Sequence, residues 1–433
     1  MWIPVASLLL IVQAVLASSP FIIQLDGSTT FENFLNQAIA SVLSTKPDNN
    51  NTIEIGDFKA FVADFDEGLL GKLHADPIIK NIFPDVQINV FDSIGPHLRK
   101  RSTLEPYTEP NFVKRNNDIT TQQDAPRHLA RLSQREGIFN ETGSLEYNYD
   151  GDGSGVTAYV LDTGVAIDNP DFGGRASYGA NFNTQEGEGD VNGHGTNVAG
   201  IIGSKTYGVA KNVKIVDVKV LGDQPSSPLS GILKGLEWAN NDRKKKGIKA
   251  VANLSLNSLK NDAFNQAADA AFKDGLVVLT AAGNSAKNTE LYSPSSADSP
   301  IVVGALDDQT DTIAIYSNWG PRVDIFASGA DVKSLSNKYP NGYSEYYGTS
   351  QATPVVAGQA AILLQQGTSV GDIKSELIKL STKNAISQET YDNNSNYTQT
   401  VNRVVYNGIE NSPDKISNPS HLKQDQSLRK YLE

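Results

Sequence analysis

Apolar residues fall along this chain in two rhythms. Beyond residue 125, the stretches 156–161, 213–220, 250–256, 276–282 and 301–305 are apolar with little interruption, as parallel strands are when helices cover both faces of their sheet. Between them, 197–203, 229–245, 262–273 and 355–366 carry apolar residues at helical spacing. The alternation predicts an α/β domain on a parallel sheet with helices on both faces, and it places chemistry at the carboxyl ends of the strands. Residues 21–90 follow a shorter rhythm. Phe21-Ile22-Ile23 is strand-like, Phe31, Leu35, Ala38 and Val42 recur at helical spacing, and 53–65 reads extended. Leu69, Leu70 and Leu73 mark a short helix, and Ile88 and Val90 alternate with polar neighbours. This predicts a small α+β unit of its own.

The remaining stretches lack either rhythm. Residues 1–17 read as a secretory signal, with an apolar run from Ile3 to Leu16 and the small residues Val15 and Ala17 at the spacing of a cleavage site. The run is short for a membrane span, and no later stretch reaches that length. Residues 93–124 hold the basic clusters Leu98-Arg99-Lys100-Arg101 and Lys114-Arg115 among Pro, Asn, Thr and Glu, which predicts a cleavable linker with self-cleavage between 114 and 124. Residues 409–433 are a polar tail, disordered or removed. The predicted divisions are therefore 1–17, 18–92, 93–124, 125–408 and 409–433. Asn50, Asn140, Asn393 and Asn396 open glycosylation sequons; Asn253 does too, but in a strand expected to be buried.

Charge and composition narrow the function. The 433 residues carry a net charge of −12, which repels nucleic acid and anionic lipid alike. No nucleic-acid partner is expected, and no membrane insertion after signal removal. The absence of cysteine excludes disulfides, thiol nucleophiles and Cys-ligated zinc. Five histidines are present, and no His-Glu-x-x-His occurs.

Four polar residues fall where a parallel sheet does its chemistry. Asp162-Thr163-Gly164 closes the strand 156–161, so a carboxylate faces the crevice before a glycine turn. Asn192-Gly193-His194-Gly195-Thr196 precedes a helix of small residues, and His194 is better placed than His128 to serve as an imidazole base. Ala281-Ala282-Gly283-Asn284-Ser285 follows the strand 276–282, where a neutral amide can donate to a developing oxyanion without titrating. Gly348-Thr349-Ser350-Gln351-Ala352-Thr353-Pro354 puts a hydroxyl at the positive end of an apolar helix. Each of these is also an ordinary turn or cap; the order Asp, His, Asn, Ser in one sheet is what gives them weight.

That order resembles the subtilisin-like serine peptidases, and within them the proteinase K and cerevisin branch of fungal enzymes. The likeness extends over Ala125-Pro126, His128-Leu129-Ala130-Arg131, Tyr159 to Gly164, Gly193 to Thr196, Gly203 to Lys211, Tyr292-Ser293-Pro294, Ser317-Asn318-Trp319-Gly320 and Asn402 to Gly408. It implies a subtilisin-like fold preceded by a small ferredoxin-like α+β propeptide domain that inhibits its own enzyme. It implies Ser350 as nucleophile, His194 as base then acid, Asp162 as the group holding the imidazole, and Asn284 with the Ser350 N–H as oxyanion donors. The reaction it implies is amide hydrolysis of protein or peptide substrates through an acyl-enzyme, by a monomer in a vacuolar lumen or outside the cell, with no cofactor required.

Several positions depart from the branch. Asn197, Gln351 and Val355 stand where a second histidine, a methionine and a histidine are common. Ser255-Leu256-Asn257-Ser258 replaces Ser-Leu-Gly-Gly along one wall of the substrate pocket, and Asn257 is expected to narrow it. On the opposite edge, Pro225 and Pro228 flank Ser227, the position that pairs with bound peptide backbone. Asp324 matches a calcium ligand of the branch, which raises a structural calcium, while Asp298-Ser299-Pro300 departs from the segment that supplies the carbonyl ligands. Asp150 to Gly155 imitates the opening of an EF-hand loop, but Leu161 stands where the closing glutamate is needed, so a turn is expected. A peptidase-fold scaffold without catalysis, and an inhibitor acting through the N-terminal domain alone, are the competing readings.

Overall fold

A computed structural model of the chain describes residues 20–37, 43, 45–64, 67–89, 109–115, 119–138, 144–183, 185–224 and 226–409. The signal, Ala38, Val42, Val90, the cluster at 98–101, the sequon at Asn140, Pro225 and the tail beyond 409 lie outside the described residues.

The N-terminal unit runs β1 (Phe21–Leu25), α1 (Phe31–Leu35), β2 (Thr52–Ile55), β3 (Phe58–Ala63), α2 (Glu67–His74) and β4 (Ile79–Pro84). The four strands pair antiparallel in the order β2-β3-β1-β4, the ferredoxin-like βαββαβ arrangement. Ile23, Leu25, Phe34, Phe61, Ala63 and Leu73 form its own core. Strand pleating sends Ile22, Ile53, Ile55, Phe58 and Ala60 to the other face. There they join a second cluster with Leu229, Ile232, Leu233, Leu236, Ala263, Phe264, Ala267 and Ala271 of the larger domain.

The stretch expected to be a linker is ordered at its far end. β5 (Gln87–Asn89) leads out of the small unit; then β6 (Phe112–Lys114) and β7 (Thr120–Gln122) form a hairpin on β8 (Tyr147–Tyr149), with α3 (Arg127–Leu132) between. Its residues are too polar to show a period, and the reason for the order is tertiary. Thr121 and Gln122 are buried, and Gln122 accepts a hydrogen bond from the buried Lys211, whose ammonium lies 5.5 Å from the Tyr147 ring and 5.8 Å from the Phe112 ring.

The large sheet takes β9 (Val156–Asp162), β10 (Ala176–Asn181), β11 (Lys214–Lys219), β13 (Lys249–Leu254), β15 (Val277–Ala281), β17 (Ile301–Asp307), β19 (Ile325–Ser328), β22 (Thr382–Lys383) and β23 (Arg403–Val404). Their order is β10-β11-β9-β13-β15-β17-β19-β23-β22, parallel except at the β22–β23 edge. A short β18 (Thr312–Ile313) pairs antiparallel with β17, β14 (Ser258–Leu259) pairs with β16 (Tyr292–Ser293), and β20 (Val332–Leu335) with β21 (Tyr343–Tyr346). The longer helices are α4 (His194–Gly203), α5 (Leu229–Lys246), α6 (Asp262–Lys273), α7 (Thr349–Gln365) and α8 (Ile373–Leu380). Every residue of β9 is buried: Val156, Ala158 and Val160 pack with α4 and α7, Tyr159 and Leu161 with α5 and α6. A strand covered on both sides has no polar face to alternate with, which is why it reads as an apolar run.

From β9 the chain goes to the edge strand β10, returns to β11 beside β9 and then crosses to β13 on its other side, so the order reverses about β9. Asp162 ends that strand, at the switch point where a crevice opens above the sheet. The EF-hand-like stretch is structural: Asp152 accepts from Ser154 N, Asn212 Nδ2 and Gln365 Nε2, and Asp150 from Gln366 Nε2, tying the start of β9 to the end of α7.

Candidate active site

His194 is the first residue of α4, one turn earlier than its apolar spacing suggests. Gly193 precedes it at φ 100°. Position 195 is closed to any side chain, since a Cβ there would stand 2.1 Å from the Gly164 carbonyl oxygen. With only hydrogen at 195, α4 presses against the turn after β9. His194 Nδ1 then lies 2.7 Å from Asp162 Oδ1, with both side chains buried. The same Asp162 oxygen accepts from Thr163 N at 2.8 Å. A carboxylate that accepts a hydrogen bond from Nδ1–H keeps the proton on Nδ1 and leaves Nε2 as the basic nitrogen of a neutral ring.

A second carboxylate braces this pair. Asp190 accepts from Thr163 Oγ1 (2.9 Å), Gly193 N (2.8 Å), Thr196 N (2.9 Å) and Thr196 Oγ1 (2.6 Å), joining the turn after β9 to the first turn of α4. Burial lifts its pKa, against the pull of these four donors. Beneath, the fully buried Lys219 ammonium donates to Thr163 O at 2.6 Å and Gly189 O at 3.0 Å and pairs with Glu186 at 3.1 Å. Asp190 and Lys219 escaped the sequence reading. The signal for Asp190 was an acid just ahead of a helix start, where orphan N–H groups need an acceptor.

Ser350 is the second residue of α7, which begins at Thr349 and not near Val355. Pro354 lies inside the helix and offers no N–H to the Ser350 carbonyl four residues back. Ser255 Oγ donates to that carbonyl instead, at 2.8 Å. The Ser350 hydroxyl in turn donates to Ser255 O at 3.3 Å. This exchange joins the wall residue Ser255 to the head of α7.

Asn284 follows β15, and its Oδ1 accepts from Thr349 N at 2.8 Å and Thr349 Oγ1 at 2.9 Å. Fixing Oδ1 this way fixes Nδ2 as the donor on the other side of the amide. Gly348, at φ 154°, leaves a bare spot beside it. A Cβ there would stand 3.0 Å from Gln351 Oε1, 3.4 Å from Asn284 Nδ2 and 3.4 Å from Ser350 N. The two nitrogens thus lie at equal distance from a point that glycine keeps free of a side chain, with the Gln351 amide oxygen on its near side.

The substrate-edge residues are placed as well. β12 (Ser226–Pro228) pairs antiparallel with β5, with Ser227 opposite Ile88. The edge that was expected to receive peptide backbone thus holds the chain's own strand. Leu256 is buried, and Asn257 lies against Gly283, where a Cβ would come within 2.2 Å of Asn257 Nδ2. Asn257 therefore covers the backbone next to Asn284.

Comparison with known proteins gives the family. Residues 153–406 match the model of the subtilase family, well over half of the chain. The chain belongs to the subtilase family. It is 37% identical over 419 residues to the subtilase-type proteinase RRT12 of Saccharomyces cerevisiae, covering 92% of this chain and 83% of that protein. It is 39% identical over 316 residues to subtilisin-like protease 6 of Trichophyton tonsurans, covering 70% of this chain and 73% of the other. Among solved structures, a cold-adapted subtilisin-like serine proteinase superposes with a TM-score of 0.59 at 36% identity, over 66% of this chain and all of the other.

Two departures of this subtilase from the family pattern meet each other. Gln351 Nε2 donates to Asn197 Oδ1 at 3.3 Å, and Asn197 Nδ2 donates to Ser344 O at 3.2 Å, all buried. A buried amide without partners is costly, and each of these residues supplies the other with one. The pair links the first turns of α4 and α7, the helices that begin with His194 and with Thr349-Ser350.

Proposed function

We propose that this subtilase is a serine endopeptidase of the secretory pathway, made as a zymogen. Ser350 Oγ leaves the Ser255 carbonyl and attacks the scissile carbonyl while His194 Nε2 takes its proton. Asp162 holds the ring through Nδ1 and stabilises the imidazolium that forms. The carbonyl oxygen moves into the spot above Gly348, between Asn284 Nδ2 and Ser350 N. His194 then protonates the leaving amine, and water repeats the sequence on the acyl-enzyme. The observation that carries the reading is the buried Asp162–His194 pair, 2.7 Å apart at the switch point of the sheet, with Ser350 at a helix start where its N and Asn284 Nδ2 face a common point.

The N-terminal unit is the intramolecular inhibitor in this reading. β5 fills the Ser227 edge, so a substrate strand enters only after the unit leaves. Self-cleavage between 114 and 124, beside the docked hairpin, frees the unit from the peptidase domain. Asn257 narrows the pocket for the residue before the scissile bond and favours small side chains. The apolar run at 1–17 directs the chain into the secretory pathway, Asn50, Asn393 and Asn396 are exposed acceptors for glycans, and no helix among the described residues is long and apolar enough to cross a membrane. The finished enzyme acts as a monomer on protein or peptide substrates.

A fluorophosphonate probe tests the reading directly. Labelling of the processed protein at Ser350, absent in Ser350→Ala and in His194→Ala, is expected. A processed protein that takes up no probe defeats the enzyme reading and leaves the scaffold. The mature N-terminus, read by mass spectrometry, and a peptide panel varied at the residue before the cleaved bond check the processing site and the pocket.

A further inference from the structure

At the end of the sheet opposite Ser350, β17 and β19 begin side by side, and the residues just ahead of them, Pro300 and Asp324, turn their oxygens toward one point. Asp324 Oδ2 accepts from Val302 N at 2.9 Å. The same oxygen lies 2.9 Å from Lys374 Nζ, on α8, and that ammonium also donates to Pro300 O at 3.1 Å. A carboxylate and a main-chain carbonyl aimed at one position are the donor set a hard divalent cation takes. Here the position belongs to an amine.

We propose that Lys374 supplies, on a tether, the cation this site is shaped to hold, so that the fold needs no calcium there. The calcium that the resemblance implies at Asp324 does not fit the residues present. Calcium requires about six to eight oxygens at roughly 2.3–2.6 Å, and an ion at that point would have to displace the ammonium first. Charge argues the same way. Arg322 pairs with Asp298 at 2.6 Å just beside Asp324, so two cations already face two carboxylates. A divalent ion would add positive charge to a cluster that is neutral without it. Access is not the obstacle, since a cleft lined by Asp298, Ser299, Gly371 and Lys374 opens beside the ammonium. The tether also fixes the cation at a high effective concentration, independent of the medium.

The test uses the full chain carrying Ser350→Ala, which prevents autolysis during melting. Its Tm is expected to be the same in millimolar calcium chloride and in EGTA. Adding Lys374→Ala is expected to lower Tm by several degrees and to make it rise again with calcium. The calcium response is expected to vanish once Asp324→Asn is added as well. If Lys374→Ala does not fold, Lys374→Gln, which keeps most of the stem and loses the charge, reports in the same way. Stoichiometric calcium retained through dialysis and lost on Asp324→Asn would overturn the proposal. So would a Lys374 variant whose Tm does not fall, or one that falls without gaining a calcium response.

Discussion

The two sheets of this molecule bury their faces in different ways. The large parallel sheet is covered on both sides by helices of its own domain, with Val156, Ala158 and Val160 on one side and Tyr159 and Leu161 on the other. The N-terminal sheet covers one face with its own helices and leaves Ile22, Ile53, Ile55, Phe58 and Ala60 to be covered by α5 and α6. At roughly 25 cal/mol per Å² of apolar surface, that borrowed face stabilises the small unit only while it is docked. A domain that completes itself is suited to catalysis, and one that must borrow is suited to being released.

The contrast can be broken at several points, beginning with the largest effect. Ser350→Ala should lower kcat by roughly a millionfold, the scale known for its relative subtilisin, while leaving docking of the N-terminal unit intact. Activity assays paired with binding of separately produced residues 20–89 to the peptidase domain separate these effects. Asn284→Ala should cost about a hundred- to a thousandfold in kcat, again the scale measured on subtilisin itself, with KM little changed. Gly348→Ala should match it, because a methyl would fill the spot between the donors. Steady-state kinetics on a small amide substrate checks both.

Next comes the borrowed face. Residues 20–89 produced alone should show little structure by circular dichroism and should fold on mixing with the peptidase domain. Phe58→Ala should weaken that docking by about 3 kcal/mol, roughly a hundredfold in the inhibition constant. A stably folded free unit would contradict the comparison.

The smallest effect expected is a pH dependence. Glu237 on α5 accepts from Glu54 N of β2 at 2.7 Å. Burial lifts its pKa from 4.5 to about 7, although that N–H and Lys234 pull it down. Burial also raises Asp85, which takes Ser230 N and Oγ at the start of α5, against the pull of both bonds. A carboxyl raised in the docked state favours docking when protonated. The Glu237 contribution is therefore present below about 4.5 and is lost as pH rises through about 7. Inhibition should loosen by roughly tenfold across that window, allowing for partial exposure of the group. Glu237→Gln should flatten the profile.

Much of the fold was legible because burial on both faces leaves apolar runs that need no interpretation. α6 was read to the residue, since Asn261 caps it by accepting from Ala263 N and its apolar stripe ends with it. β4 was missed: Ile79-Lys80-Asn81-Ile82-Phe83-Pro84 keeps no strict alternation and ends in a proline. The hairpin of β6 and β7 was missed because its order comes from Lys211 and β8, far along the chain. At the site, Asp162, His194, Asn284 and Ser350 were visible as polar residues at element ends. The starts of α4 and α7 were not, because glycines at 193 and 195 and the proline at 354 look like helix breakers until the contacts that require them are known. The Asn197–Gln351 bond was illegible for a related reason, as each residue taken singly reads only as a departure.

One consequence follows from the brevity of β12. When β5 departs, the strand from Ser226 to Pro228 is left as a bare rim, and bare rims invite any extended chain, including those of other copies. This rim is three residues long, ends on a residue without an amide hydrogen, and turns at once into a helix. It can pair with one extended strand and cannot seed a growing sheet, so its brevity keeps the molecules from sticking to one another.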